Sequence, residues 1–224
     1  MTSPASIVCY YDIVSPYSYF GVMLLNRYKE KWGDKVQVEL RPMFLHGIMT
    51  GSKNQPPANV PAKGTYMFSD LNRICNMTGI PYSFPSQFPV MTVHVMRLLI
   101  VIQKCEPALY QACVEALYGA YWGKGEDVTQ KEVIMAALAP VFNGSESKVA
   151  ELIQMAAEKD IKQKLVDNTN EALDKGAFGA PWFVVKQAGS DEEHFFFGSD
   201  RFELMTNFLD LPYYGLAVNK SAKL

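Results

Sequence analysis

Seven consecutive residues, Asp12-Ile13-Val14-Ser15-Pro16-Tyr17-Ser18, carry the strongest chemical signal in the chain. Serine followed by proline marks a helix start, because serine caps free backbone N–H groups and proline suits the first helical position. Such a helix points its positive end at whatever lies beside Ser15. A thiolate there gains both the dipole and a hydrogen bond from the hydroxyl. The same physics acidifies a cysteine at a helix N-terminus. The plainer reading of these residues is a capped helix without chemistry.

Three further segments fit the recognition of a peptide-like ligand. In Gly176-Ala177-Phe178-Gly179-Ala180-Pro181, proline pushes Ala180 toward extended geometry and leaves its backbone polar groups for a ligand strand. A tight turn, with or without a cis bond, fits the same residues. Phe197-Gly198-Ser199-Asp200-Arg201 places a second helix start where backbone N–H groups suit a carboxylate and Asp200 suits an amine. The loop Lys53-Asn54-Gln55-Pro56-Pro57, followed by Lys63, offers Asn54 and Lys63 to a terminal carboxylate. Its alternative is an exposed loop with a solvated lysine.

The elements that must position these residues are legible from pattern. Ser6 to Tyr11 is β-branched and aromatic on both faces, as in a strand covered on both sides. Tyr17, Phe20, Gly21, Leu24, Leu25 and Tyr28 recur at helical spacing, with Gly33 as the C-terminal cap. Val36, Val38 and Leu40 alternate with polar residues, which predicts a strand. A right-handed parallel crossover joins the two strands by default. Met49 to Gly64 is rich in proline and glycine and reads as a long loop.

From about Thr65 to Lys175 the patterns are helical. Pro107 suits a helix start, and Thr129 with Glu132 suits a capping box for a helix through Ala139. Ser147 to Met155 and Ile161 to Leu173 carry further helices. Trp182–Val185 and His194–Phe197 then read as a hairpin turning at Gly189, Ser190 and Asp191. Arg201 to Leu209 closes as a helix capped by Ser199 or Asp200. The order βαβ, helices, ββα is that of one α/β unit interrupted by an all-helical insertion.

Composition narrows the function classes. The 224 residues carry a formal charge of −2, with 49% hydrophobic and 20% charged residues, as in ordinary globular proteins. No basic stripe points to nucleic acid. The apolar stretch Val90 to Ile102 is interrupted by His94 and Arg97 and falls short of the ~20 residues of a membrane span. The N-terminus shows no signal-peptide or presequence pattern. Cys9, Cys75, Cys105 and Cys113 form no Cys-x-x-Cys pair and read as separate, mostly buried thiols. The three histidines and four cysteines show no metal-ligand spacing, so no metal is expected.

Together the motifs resemble the kappa-class glutathione transferases, over nearly the whole chain. The likeness runs through Ser-Pro-Tyr-Ser, Gly47 to Met49, Asn54 to Pro57, Lys63 to Met67, Gly176 to Pro181 and Phe197 to Arg201. It implies an α/β fold of the DsbA kind. The thioredoxin-like, glutathione-binding unit would be 1–62 with 176–224, and the helical insertion 63–175. It implies that Ser15 stands where related oxidoreductases keep a nucleophilic cysteine and hydrogen-bonds the sulfur of glutathione, the co-substrate. The remaining glutathione contacts would be Pro16, Tyr17, Asn54, Lys63, Ala180 through its backbone beside cis-Pro181, Ser199 and Asp200.

The implied function is conjugation of small hydrophobic electrophiles, with peroxides a further substrate class, in a homodimer serving detoxification. Tyr66, Met67, Phe84 and Trp122 are candidates for the electrophile pocket or for core. The ending Ala222-Lys223-Leu224 resembles a peroxisomal address, with the mitochondrial matrix as alternative. Two rival readings stand beside this one. One is a glutathione-dependent isomerase of the 2-hydroxychromene-2-carboxylate type, whose family shares Ser-Pro and Gly-x-Asp-Arg. The other is a thioredoxin-fold binding module without catalysis.

Overall fold

The computed structural model describes residues 3–217. The tripeptide 222–224 lies outside the described residues.

Strand β1 (Ala5–Tyr11) lies beside β2 (Val36–Pro42), parallel to it, with α1 (Pro16–Trp32) as the crossover. On its other side β1 pairs antiparallel with β3 (Trp182–Lys186), and β3 with β4 (His194–Phe197). The order is β2-β1-β3-β4, so strands from both ends of the chain complete one sheet. Helix α9 (Phe202–Phe208) follows β4. Between β2 and β3 run α2 (Leu45–Gly51), α3 (Pro61–Thr78), α4 (Val93–Cys105), α5 (Tyr110–Tyr118), α6 (Lys131–Leu138), α7 (Glu146–Met155) and α8 (Lys159–Asp174). A π turn, Gly119–Gly123, extends α5.

Both faces of the sheet are covered, as the double-sided apolar pattern of β1 requires. Ile7, Cys9, Tyr11, Phe183 and Val185 belong to a core that continues through α1 into α4, α5 and α7. Tyr10, Trp182 and Val184 on the other face pack with Ile48 of α2 and Ala172 of α8. Arg41 ties β2 to α8 through Glu171 at 2.7 Å and lies 5.3 Å from the centre of the Tyr10 ring.

Several expectations from the sequence need correction. Met49–Gly64 is not one loop, because it contains the end of α2, a 3-10 turn (Pro57–Asn59) and the start of α3. Its prolines begin helical turns rather than exclude them. Thr129 is not a cap: α6 starts after Gln130, while the Asp127 carboxylate accepts from the Thr129 N–H at 2.9 Å and fixes the preceding turn. Helix α5 begins at Tyr110, and Pro107 lies in the turn before it. Neither Ser199 nor Asp200 caps α9; its N-cap position is Arg201, without a side-chain bond. Of the cysteines, Cys9 and Cys113 are buried, but Cys75 is half-buried and Cys105 exposed.

One close approach sets the position of α1. A Cβ on Gly21 would lie 2.9 Å from Cγ of Pro181, so only glycine lets the helix rest on the proline ring. Gly21→Ala is expected to gain about 1 kcal/mol of helix propensity but to lose about 1–3 kcal/mol to overpacking against a ring that cannot swing away. The expected outcome is a lower melting temperature and a larger proportional loss of activity, because the shift separates Ser15 from Ala180. A variant as stable and as active as the parent would refute this account of the contact.

Candidate active site

Ser15 caps α1 as its sequence predicts. Its backbone is extended (φ −86°, ψ 117°), and its Oγ accepts the Ser18 N–H at 3.1 Å. The first turn of the 17-residue helix holds no acidic residue, and Lys29 and Lys31 stand in the last turn. The positive end of the dipole is therefore uncancelled by any acid in its own turn. Ser15 is 5% exposed, and its hydroxyl donates to the Ala180 carbonyl at 3.2 Å. A helix start and a loop 165 residues away thus meet at one hydroxyl.

The loop opposite is shaped by the cis peptide Ala180-Pro181. The Pro181 carbonyl accepts the Gly198 N–H at 3.1 Å, which seats 197–201 beside it. Gly198 has φ +101°, and a Cβ there would lie 2.6 Å from Oδ1 of Asp200, so that carboxylate folds back over the turn. Ser199 is buried, and Asp200 is exposed and pairs with Arg201 at 3.3 Å. Asn54 is already engaged: its side-chain N–H donates to the Phe178 carbonyl at 2.7 Å, and its oxygen accepts the Gln55 N–H at 2.8 Å. It thereby fastens the 176–180 loop. Lys63 is exposed in the first turn of α3, on the face that carries Tyr66 and Asp70.

Tyr17, two residues past Ser15, donates to Oδ2 of Asp70 at 3.0 Å, and Tyr66 reaches Oδ1 of the same carboxylate at 3.4 Å. Burial, and then the Asp70 charge, push the Tyr17 phenol above its ordinary range. Tyr17 therefore stays protonated at neutral pH and is unsuited to be the base for a thiol. Asp200 adds to the same shift, which places Tyr17 in the field of acids from both halves of the chain. Of the pocket candidates, Trp122 and Met67 are core, Phe84 is half-buried, and Tyr66 is 60% exposed.

Two acids at this site carry no sequence signal strong enough to assign them a role. Asp70 stands at i+4 from Tyr66, a spacing that pairs side chains on a helix. Asp12 is the one buried side chain of a charged type among the described residues. Its Oδ1 accepts the Val14 N–H at 3.1 Å and the Thr92 hydroxyl at 2.6 Å, and its Oδ2 accepts the Leu45 N–H at 2.8 Å. Burial raises its pKa, and the three donors only partly offset that.

The sign of the resulting pH dependence is fixed by proton counting. An acid with a raised folded-state pKa binds more protons folded than unfolded, so stability falls as pH climbs from the ordinary Asp value of about 3.9 through the folded value. The stability of the parent minus that of Asp12→Asn should therefore fall with rising pH across that window. Denaturant titrations at a series of pH values measure it, and a difference that rose with pH would refute the assignment.

A family model of DSBA-like thioredoxin domains matches residues 6–210. The chain is 34% identical to human glutathione S-transferase kappa 1 over 217 residues, 95% of this chain and 94% of that one. It belongs to the DSBA-like thioredoxin family, in the kappa class of glutathione transferases. The kappa 1 enzyme of Rattus norvegicus is 32% identical over 95% of this chain and 94% of its own. Among solved structures, a 2-hydroxychromene-2-carboxylate isomerase superposes with a TM-score of 0.76 at 18% identity, covering 92% of this chain and 94% of that one. The kappa-class assignment thus rests on sequence, and the isomerase likeness shows a shared fold. In this kappa-class chain the Ser15–Ala180 contact joins the opening strand–helix unit to the closing hairpin.

Proposed function

We propose that this chain is a glutathione transferase that binds glutathione along the Ala180 loop and ionises its thiol beside Ser15. The observation that carries the reading is the Ser15 hydroxyl, 3.2 Å from the Ala180 carbonyl, at the N-terminus of a helix whose first turn holds no acidic residue. The Ser18 N–H holds the oxygen in place, so the single hydroxyl proton is free to turn from Ala180 to a sulfur. Ser15 is then a hydrogen-bond donor and not a nucleophile. The thiol proton leaves to solvent, the sulfur forms a bond to an electrophilic carbon, and the leaving group departs with its electron pair.

In this reading the binding unit is 1–62 with 176–224, and the insertion 63–175 supplies the second wall with Tyr17's partner Asp70. Pro16, Tyr17, Lys63, Ser199 and Asp200 line the approach for the peptide's charged ends, and Asn54 acts through the loop it fastens. Small hydrophobic electrophiles are the substrate class, with peroxides second. We assign a homodimer, checked by sedimentation mass. We also assign a peroxisomal address at 222–224, checked by relocation of a fluorescent fusion when the tripeptide is removed.

The deciding experiment incubates the purified chain with glutathione and 1-chloro-2,4-dinitrobenzene and identifies the product by mass. A thioether formed well above the uncatalysed rate is expected. Glutathione recovered unchanged, together with turnover of a hydroxychromene carboxylate, would move the assignment to an isomerase. Tight glutathione binding without turnover of either would leave a binding module.

A further inference from the structure

The turn that carries Ser15 is held in part from outside its own unit. The Ile13 N–H donates to Sδ of Met96 at 3.4 Å, and the Ile13 carbonyl accepts Nε1–H of Trp122 at 2.8 Å. The Asp12 carbonyl accepts the Ser15 N–H at 3.1 Å and the Tyr118 hydroxyl at 3.2 Å. The Asp12 carboxylate takes the Thr92 hydroxyl at 2.6 Å. Thr92, Met96, Tyr118 and Trp122 all come from 63–175. Thr92 occupies the N-cap position of α4, yet its hydroxyl makes no capping bond and goes to Asp12 instead. Tyr118 directly precedes the π turn and Trp122 lies within it, a local irregularity that recurs at functional sites.

This arrangement is not what a lid over a bound substrate requires. A lid needs surface facing the ligand. Here four insertion side chains reach beneath the turn: Met96 and Trp122 bond the Ile13 backbone, while Tyr118 bonds the carbonyl and Thr92 the carboxylate of Asp12. Its charge is buried with donors from three places: its own turn (Val14), the start of α2 (Leu45) and the start of α4 (Thr92). A buried carboxylate held only by such donors carries a desolvation cost. A simple hydrophobic plug would avoid that cost, but it could not bond to three backbone and hydroxyl groups at once.

We propose that Asp12 is a positioning residue through which Thr92 and Tyr118 of the helical insertion set the direction of the Ser15 hydroxyl toward the sulfur of bound glutathione. The inference rests on the function proposed above. It adds that the insertion tunes the sulfur site from below, independently of any contact with the second substrate.

The test uses Thr92→Val and Tyr118→Phe in the full chain, each with Ser15 intact and each combined with Ser15→Ala. Thr92→Val removes a hydroxyl that makes no capping bond, and Tyr118→Phe keeps the ring, so one variant remains informative if the other fails to fold. The thiolate absorbance of saturating glutathione is titrated with pH, beside kcat, KM and melting temperature. With Ser15 intact, the bound thiol should ionise at higher pH and kcat should fall about tenfold, the effect of one hydrogen bond. KM for glutathione should change by less than about twofold. In the Ser15→Ala background the same substitutions should leave the titration unmoved, because the two sites act through one another.

Equal shifts in both backgrounds, or a fall in melting temperature with no shift in titration, would overturn the proposal. A wild-type chain that shows no thiolate band with glutathione would remove the proposed function itself, and this inference with it. A wild-type band without coupling removes the inference alone.

Discussion

Ser15→Ala is expected to lower the rate of glutathione conjugation about 10- to 100-fold. The reasoning starts from charge: a hydrogen bond to an ionised partner contributes about 1.5–3 kcal/mol, and each 1.4 kcal/mol is a factor of ten. Alanine deletes that donor and leaves the helix dipole, so ionisation is weakened rather than abolished. The bound thiol should titrate at higher pH, and the loss of rate should shrink as the pH is raised and the thiolate fraction recovers. The substitution also removes the bond from the Ser18 N–H to Ser15 Oγ, which costs about 1 kcal/mol of stability. Ser15→Gly separates the two effects, since glycine at an N-cap loses only a few tenths of a kcal/mol and still lacks the hydroxyl. Glycine and alanine variants with equal, large losses of rate would support the donor role. An alanine variant as active as the parent at neutral pH would show that Ser15 only caps the helix.

Trp122→Ala should cost more stability than any of the other substitutions, about 3–5 kcal/mol from the cavity alone. Trp122 is fully buried. Its ring lies 4.8 Å from Tyr121, 5.5 Å from Phe88, 6.0 Å from Phe84 and 6.1 Å from Tyr82, centre to centre. Removing the indole also strands the Ile13 carbonyl, which accepts its N–H at 2.8 Å, and an orphaned buried acceptor costs about a further 1–3 kcal/mol. A fall in melting temperature of roughly 10–30 °C follows for a chain of this size. Trp122→Phe keeps most of the packing and loses the donor, so its cost isolates the carbonyl. Denaturant unfolding followed by circular dichroism reads both. A cost below about 1 kcal/mol for alanine would mean that the aromatic cluster repacks and does not hold the Ser15 turn.

Legibility differs sharply between residues of the same site. Ser15 and Pro16 announce a helix start from adjacent positions, and the chain begins α1 there. Gly33 closes that helix as its position suggests. The two terminal strand groups are visible from β-branched and aromatic runs, and they meet in one sheet. Asn54 is legible as a polar contact but not in its use: its amide fastens the Phe178 carbonyl. The 49–64 segment misleads altogether, because proline at the first position of a helix and proline in a loop look alike in one dimension. The capping motif Thr129–Glu132 fails because Asp127 wins the competition for the Thr129 N–H.

Whatever neighbours within a few residues decide is written in the order of the amino acids. It set the cap at Ser15, the periodicity of α1 and α8, the alternation of β2, and the residue types of the four motifs. These follow from side chains bonding to their own backbone and from the faces that spacing creates. Which of those residues meet depends on how the whole chain packs. That packing brought Ser15 to Ala180, Tyr17 to Asp70, Gly21 to Pro181, and Thr92 with Tyr118 to Asp12. Each of those pairs is far apart along the chain, so no local pattern encodes it. Asp12 shows the reason plainly: a carboxylate at the end of a strand reads as a turn residue, and only burial, with donors converging from distant helices, makes it the group that holds the site.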